Sequence, residues 1–277
     1  CERAPAGGRG TDRMKMPLLS LHDKDAIERI LRRNTPIHLY ELGDLDDFFW
    51  PYTTWYALEE EGQIAEIALL YTALERPTLL AITENLPAMG SLLELLLPIL
   101  PRQFYAHLSG ELASVLAGAY QIDSHGLHLK MALVEPSRLE TVETSEVMPL
   151  STAEAHELQA FYQVSYPGNW FDPRMLATGY YYGVRRDARL VAVAGVHVFS
   201  PRYKVGVLGN VTTHPDYRGQ GLAKTVCAKL CLELLKTVDV IGLNVKAANA
   251  SAIAAYRRLG FEVVGEYEEG LLINHPK

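Results

Sequence analysis

The chain has 277 residues, close to twice the length of a typical single domain, and this length predicts two domains. Its 26 basic and 33 acidic residues give a net charge of −7, which excludes the broad basic surface of a nucleic-acid-binding protein. Three cysteines are too few for a disulfide framework, and Cys227 and Cys231, one helical turn apart on an apolar face, are expected to be reduced core thiols.

No targeting or membrane segment is visible in the sequence. Residues 1–13 are polar and glycine-rich and lack the apolar stretch of a secretory signal. The longest apolar run, 92–100, contains Glu94 and Pro98 and is far shorter than the ~20 residues that span a membrane. We therefore predict a cytoplasmic protein without a membrane partner, with a disordered leader over residues 1–16.

The first half, residues 17–138, alternates between helical and strand patterns and predicts an α/β domain. Two alternating apolar runs flank the acidic turn 59–62, which is typical of a hairpin. In chain order we predict a helix over 24–33, strands over 37–40, 53–58, 64–71 and 78–83, a helix over 90–97, a strand over 103–107, a helix over 111–119 and a strand over 127–134.

The polar stretch 136–146 is predicted to be a linker to a second α/β domain over residues 142–277. A helix should begin at Ser151 or Thr152, with Glu154 in its first turn. The predicted strands cover 147–150, 180–185, 190–199, 204–213 and 240–245, and two final strands over 261–267 and 270–273 are expected to close the sheet.

A glycine-rich turn joins strand 204–213 to the following helix. Glycines at 219 and 221 remove the Cβ atoms that would keep a ligand away from the backbone. The N–H groups of Gly219 to Ala223 should then point together from the first turn of the helix, with Arg218 beside them. Unpaired donors and a partial positive charge favour a phosphate-bearing ligand.

Spacing separates three kinds of phosphate-binding loop. The Walker pattern G-x-x-x-x-G-K-[ST] fits no window of the chain. The dinucleotide fingerprint G-x-G-x-x-G/A would begin at Gly219, but Lys224 occupies the third small position, where the helix must approach the strand. The pattern that remains is R-x-x-G-x-A, from Arg218 through Gly221 to Ala223.

A second motif lies about 30 residues further on. Residues 249–261 read N-x-x-A-x-x-x-Y-x-x-x-G-F, and an apolar helix and strand 240–245 separate the two motifs. Together they resemble the coenzyme A loop and the C-terminal signature of the GNAT N-acetyltransferase superfamily. The resemblance covers the whole second half.

The resemblance implies a mixed α/β GNAT fold in which strand 204–213 splays away from strand 240–245. The pantetheine arm of acetyl-coenzyme A would fill the gap, with the N–H of Val211 on the thioester carbonyl, Thr213 on the pantetheine amides and Asn249 on the far side. The implied coenzyme A-binding residues are Val211, Thr212, Thr213, Arg218, Gly219, Gln220, Gly221, Leu222, Ala223, Lys224 and Asn249.

Tyr256 matches the family tyrosine that protonates the departing thiolate, so the resemblance implies a catalytic role for it. An ordinary pKa near ~10 keeps a tyrosine protonated at neutral pH, as a general acid requires. The alternative is a packing role, because Ala252, Ile253 and Leu259 share its helix face.

The general base is where the sequence departs from the family pattern. Residues 204–210 contain neither Glu nor His, the residues that this strand often supplies in the family. His197 on the neighbouring strand is a candidate, although a single strand histidine is usually a packed or solvated residue. His214 is expected to shape the loop. A water-mediated base and attack by an already neutral amine are the other options.

The first half resembles a degenerate GNAT unit placed before an active one, as in the glycine N-acyltransferase branch. Its equivalent loop, 84–90, has no arginine and no paired glycines, so we expect no phosphate binding there.

The predicted function is acyl-CoA-dependent N-acyltransfer, with acetyl passing from acetyl-CoA to a primary amine of a small molecule or amino acid by direct attack. The alternative is a non-catalytic acyl-CoA-binding module. No metal is expected, because His125 and His128 lack the spacing and partners of a zinc site. The expected partner is the small-molecule amine, with no nucleic acid, and the protein is expected to be a monomer or homodimer.

Overall fold

The computed structural model describes residues 18–73, 75–169 and 171–275. The leader predicted over residues 1–16 lies outside these ranges. Within the described residues the first half forms the following helices and strands: β1 (Leu18–Leu21), α1 (Lys24–Leu31), α2 (Leu39–Asp44), β2 (Thr53–Glu60), β3 (Gln63–Tyr71), β4 (Thr78–Ala81), α3 (Leu86–Leu96), β5 (Gln103–Leu108), α4 (Ala113–Leu116) and β6 (Tyr120–Leu133).

The second half continues the alternation. The stretch predicted to be a linker begins with a 3₁₀ helix over Pro136–Thr141, and Ser151 forms a capping box with Glu154 ahead of the next helix, as the sequence predicts. The elements are β7 (Met148–Pro149), α5 (Ala155–Ser165), β8 (Tyr182–Arg186), β9 (Arg189–Ser200), β10 (Val205–Thr213), α6 (Leu222–Leu234), β11 (Val240–Lys246), α7 (Ala250–Arg258) and β12 (Phe261–Asn274).

The strand predicted over 37–40 is wrong. Arg32–Ile37 is a 3₁₀ helix and α2 begins at Leu39. The alternation of apolar residues near Ile37 mimics a strand, but the buried residues Leu39, Leu42 and Leu45 repeat every three positions and form one helical face. That face packs closely on the second half: a Cβ on Gly43 would lie 1.8 Å from a methyl carbon of Val198.

The described strands form one mixed sheet in the order β1-β2-β3-β4-β5-β12-β6-β11-β10-β9-β8-β7. The pairs β4–β5 and β10–β11 are parallel, and each parallel pair is joined by a crossover helix, α3 in the first half and α6 in the second. The other neighbours are antiparallel. The predicted mixed α/β fold is therefore confirmed.

Each half places its last strand between two strands of the other half. β12 pairs with β5 on one side and with β6 on the other, and β6 pairs with β12 and β11. The expectation that two short final strands close the sheet is wrong, because residues 261–274 form one strand in its interior. Register shifts at Val263/Gly265 and Glu269/Gly270 bend this strand without ending it.

The helices α1 and α2 lie between the two arms of the sheet and pack on both. Their buried residues share a core with residues of β2, β3 and β4 and with residues of β9 and β10. The members that show this are Ile27, Leu31, Leu39, Leu42, Trp55, Ile67, Leu80, Val198, Val205 and Val207. The halves thus share apolar contacts as well as strand pairing.

The exchange of strands predicts that the halves stay together without a covalent link. A protease site inserted in the largely exposed stretch 143–146 should yield two fragments that elute together with the volume of the intact chain. They should separate only in denaturant, because β6 and β12 are each hydrogen-bonded on both sides. Separation of the fragments in native buffer, by size-exclusion chromatography beside the uncut chain, would contradict this.

Candidate functional site

A gap opens between the parallel strands β10 and β11. They pair from Val205–Val240 to Leu208–Leu243 and then part, so that β10 continues beside β9 and β11 beside β6. Asn210 has φ of +54°, and the register of β10 against β9 shifts between Gly209 and Thr212. This bulge turns β10 away from β11 and leaves backbone groups of both strands facing the gap.

Side chains of α5 and of the residue before β8 hold the bulge in place. The Tyr162 hydroxyl donates to the Asn210 carbonyl at 3.0 Å, and Asn210 Nδ2 donates to the Tyr181 hydroxyl at 3.0 Å. Thr212 Oγ1 donates to the Ser165 carbonyl at 3.1 Å. Thr213 Oγ1 is buried and has no hydrogen-bond partner within the described residues. An unpaired buried hydroxyl at the wide end of the gap is a donor and acceptor available to a ligand.

The glycine-rich loop lies at this end of the gap. Gly219 and Gly221 adopt φ of +79° and +80°, and no atom lies within 4 Å of a Cβ built on either. Helix α6 starts at Leu222 without a side-chain cap, so its first N–H groups are open to an anion. Leu222 is buried and offers only its backbone, while Arg218 donates from Nε and Nη2 to the carbonyls of Thr213 and Ser165, each at 3.3 Å.

The corresponding loop of the first half is closed by its own side chains. Ser109 donates its N–H to the Ala81 carbonyl, and its hydroxyl accepts from the N–H of Thr83, so β4 and β5 stay joined where β10 and β11 part. The Thr83 hydroxyl in turn donates to the Glu66 carboxylate. At the start of α3, the Asn85 side chain accepts from the N–H of Ala88. The Asn85 side chain therefore caps one of the first N–H groups of α3, whereas α6 has no side-chain cap.

Helix α7 brings Asn249 and Tyr256 to the other side of the gap. Asn249 is the N-cap of α7, and its Oδ1 accepts from the Ala252 N–H and from the Ser251 hydroxyl. The Asn249 side chain therefore has only its Nδ2 donors left for a ligand. Tyr256 packs at the edge of the core, with its ring 6.0 Å from that of Phe261. Burial, with smaller contributions from Cys227 and Tyr166, raises the pKa of Tyr256 well above its ordinary value.

Helix α2 of the first half adds polar groups that the sequence did not reveal. The Tyr40 hydroxyl lies 3.2 Å from Nδ1 of His197, whose pKa is lowered by burial. The ammonium of Lys130 on β6 lies over the Tyr40 ring at 5.5 Å. Tyr40, Lys130 and Asn244 line a small cavity between α2 and the strands at the gap. No local motif marks Tyr40 or Lys130, because long-range pairing alone brings them here.

The part of the chain that the structure describes contains no group of three or more His, Cys, Asp or Glu placed to hold a metal ion. None of its helices is both long enough and apolar enough to cross a membrane.

Comparison with known proteins identifies relatives of the second half. Residues 146–261 match the model of the acetyltransferase (GNAT) family. A curated relative, the [ribosomal protein bS18]-alanine N-acetyltransferase of Escherichia coli K12, is 46% identical over 55 residues. That alignment covers 20% of this chain and 37% of the relative.

Solved structures resemble the chain over most of its length. A Drosophila protein has a TM-score of 0.69 at 12% identity and covers 93% of this chain and 99% of its own. A tandem GNAT protein from the clavulanic acid biosynthesis pathway has a TM-score of 0.59 at 14% identity and covers 95% of this chain and all of its own. At these identities the likeness shows the fold alone.

The contrast between the two loops predicts one coenzyme A per chain. α6 offers uncapped N–H groups beside a parted strand pair, whereas Asn85, Thr83 and Ser109 make hydrogen bonds at the equivalent place in the first half. Titration of the full chain with coenzyme A by calorimetry should give a stoichiometry of one. A value of two would show that the first half keeps a working site.

Proposed function

We propose that the second half of the chain, which matches the acetyltransferase (GNAT) family over residues 146–261, transfers acetyl from acetyl-CoA to a primary amine of a small molecule or amino acid. The observation that carries this proposal is the meeting of two features at one place. The gap between β10 and β11 widens toward Thr213, and α6 begins without a side-chain cap at Leu222, after the turn that carries Arg218.

Acetyl-CoA fits the groups that this end of the sheet leaves unsatisfied. The diphosphate would lie on the N–H groups of Gly219 to Lys224, where a helix start favours an anion. The pantetheine arm would run through the gap, with Thr213 Oγ1 and Asn249 Nδ2 as polar contacts. Arg218 donates to two carbonyls from its Nε and Nη2, and its Nη1 would be the donor for the diphosphate.

The transfer uses groups on both sides of the gap. The amine lone pair attacks the thioester carbonyl carbon, a C–N bond forms, and the C–S bond breaks. The N–H of Val211 would stabilise the oxyanion, a contribution of about 3 kcal/mol for one such donor. The Tyr256 hydroxyl would give its proton to the departing thiolate, and the attacking nitrogen releases its extra proton to water or to His197.

Two electrostatic features support these roles. The raised pKa keeps Tyr256 protonated throughout the neutral range, so it holds a proton to donate. The lowered pKa of His197 keeps its imidazole neutral near pH 7. The lack of Glu and His in β10 itself favours the alternative function, acyl-CoA binding without transfer, and the Tyr256 variant below separates the two.

The loop is tested by Gly221→Glu in the full chain. A carboxylate at this position would repel the diphosphate from the start of α6, so binding of acetyl-CoA should be lost in calorimetry. Gly62→Glu is the matched control, because Gly62 has φ of +76° and, like Gly221, open space around its Cβ, but it lies in the β2–β3 turn. Both variants should lose similar thermal stability. Unchanged acetyl-CoA affinity in Gly221→Glu would refute the assignment of the loop.

The general acid is tested by Tyr256→Phe. With both substrates saturating, kcat should fall about 10²-fold while coenzyme A affinity stays close to that of the unaltered chain. Because the pKa of Tyr256 is raised, kcat of the unaltered chain should show no loss from its ionisation up to about pH 10. Tyr180→Phe is the control, because Tyr180 lies away from the gap. Its hydroxyl is 3.0 Å from Thr237 Oγ1, with which it forms a hydrogen bond. An unchanged kcat in Tyr256→Phe would show that Tyr256 is a packing residue and not the general acid.

A further inference from the structure

A single carboxylate on β12, that of Glu269, is surrounded by three histidines. His125 Nδ1 lies 3.2 Å from its Oε1, and His107 Nε2 and His128 Nε2 lie 3.5 Å and 3.7 Å from its Oε2. Strand pairing sets this arrangement, because His107 on β5 is the direct cross-strand partner of Glu269. The Glu269 side chain is 21% exposed, so the cluster is reachable from solvent.

Aromatic rings surround the same carboxylate. The ring of Tyr267 lies 4.5 Å from that of His107 and 5.3 Å from that of His128. The ammonium of Lys130 lies over the ring of Tyr267 at 5.6 Å and over that of Tyr40 at 5.5 Å. Because the Tyr40 hydroxyl also meets Nδ1 of His197, these contacts connect the Glu269 cluster with the α2 side of the gap.

The histidine neighbours of Glu269 set its charge state. Burial opposes ionisation of Glu269, but His107, His128 and His125 outweigh it and lower its pKa to about 2, so it stays a carboxylate. Lys130 is buried beneath the rings of Tyr40 and Tyr267 and is balanced by Glu41. Lys246, at the end of β11, is the other cation that acts on the cluster, through His128.

One atom of the cluster points to a ligand. Nδ1 of His107 is buried and has no hydrogen-bond partner within the described residues, although its Nε2 faces Glu269. Burial and the Lys246 charge lower the pKa of His128, even though Glu269 opposes this, so that ring is neutral near pH 7. A carboxylate flanked by aromatic rings and a neutral imidazole is the setting in which proteins bind ammonium groups.

We propose that Glu269 holds a second positive charge of the acceptor, so that the preferred substrate is a dicationic amine with one nitrogen at the gap and the other at Glu269. β12 is two strand steps from β11, which corresponds to about 10 Å across the sheet. An extended chain of several carbons spans this distance. The inference rests on the proposed acetyl transfer and adds the class of acceptor to it.

The test compares three primary amines of equal length with acetyl-CoA and the full chain. Hexane-1,6-diamine, hexylamine and 6-aminohexanoate present the same reacting amine and differ only in a positive, neutral or negative far end. Turnover is measured by release of the coenzyme A thiol. The kcat/KM should be about 10-fold or more higher for the diamine than for hexylamine, and it should be lowest for 6-aminohexanoate. A 10-fold difference is the scale of one charge-assisted hydrogen bond. Glu269→Gln should bring the three within about threefold of one another.

Glu268→Gln is the matched control. Glu268 precedes Glu269 on β12 and points to the opposite face of the strand. The Glu268→Gln variant should therefore keep the order of kcat/KM among the three amines. A Glu269→Gln variant that slows all three amines equally, or an unaltered chain that does not distinguish the far ends, would overturn the acceptor assignment while leaving acetyl transfer intact.

Equilibrium binding keeps the two hypotheses separate. If none of the amines releases thiol, calorimetry of the diamine with the full chain still tests Glu269: binding that is lost in Glu269→Gln and kept in Glu268→Gln supports the subsite, and equal binding by both variants overturns it. Failure of the proposed function has a different signature: the unaltered chain binds no acetyl-CoA, or it binds acetyl-CoA and releases no thiol with any primary amine.

Discussion

The pairing of β11 with β6 is the interaction on which the rest of the site depends. β11 loses β10 as a partner beyond Leu243, so its last residues have backbone hydrogen bonds only on the β6 side. An unpaired strand end would collapse against β10 or fray, because buried backbone groups must be satisfied. β6 belongs to the first half, and it is itself held by β12. The gap therefore stays open because the halves have exchanged their last strands.

The same architecture occurs twice, and side-chain chemistry distinguishes a filled site from an open one. In the first half, Ser109 and Thr83 bridge the parallel strands, and Asn85 caps α3. In the second half, the equivalent helix begins after two glycines in the left-handed region, and Thr213 keeps an unpaired hydroxyl. A helix start must satisfy its N–H groups with a side chain, with water or with a ligand. The first half uses a side chain, which explains why its loop carries no anion-binding residues.

Sequence reasoning succeeded where the signal is local. The loop at 218–224 and the Asn249–Tyr256 helix are contiguous motifs, and the alternation around the 59–62 turn correctly predicted the β2–β3 hairpin. It failed at residues 37–40, where a short apolar run fits a strand and a helix equally well, and tertiary packing against Val198 selects the helix. The place of β12 in the sheet also lay beyond reach, because strand order depends on pairings between residues more than 100 positions apart.

The polar groups at the seam between the halves follow from this long-range pairing and have an energetic consequence. Lys130 and Glu41 are buried there beside the half-buried Tyr40, and burying a charge costs free energy that close pairing offsets only in part. An apolar seam would hold the halves together more strongly, since replacing buried ion pairs by packed apolar residues is often stabilising. A polar seam instead gives the first half a direct influence on the gap, because α2 positions Tyr40 against His197. The first half thus contributes α2 to one side of the gap, although the start of its own helix α3 is capped.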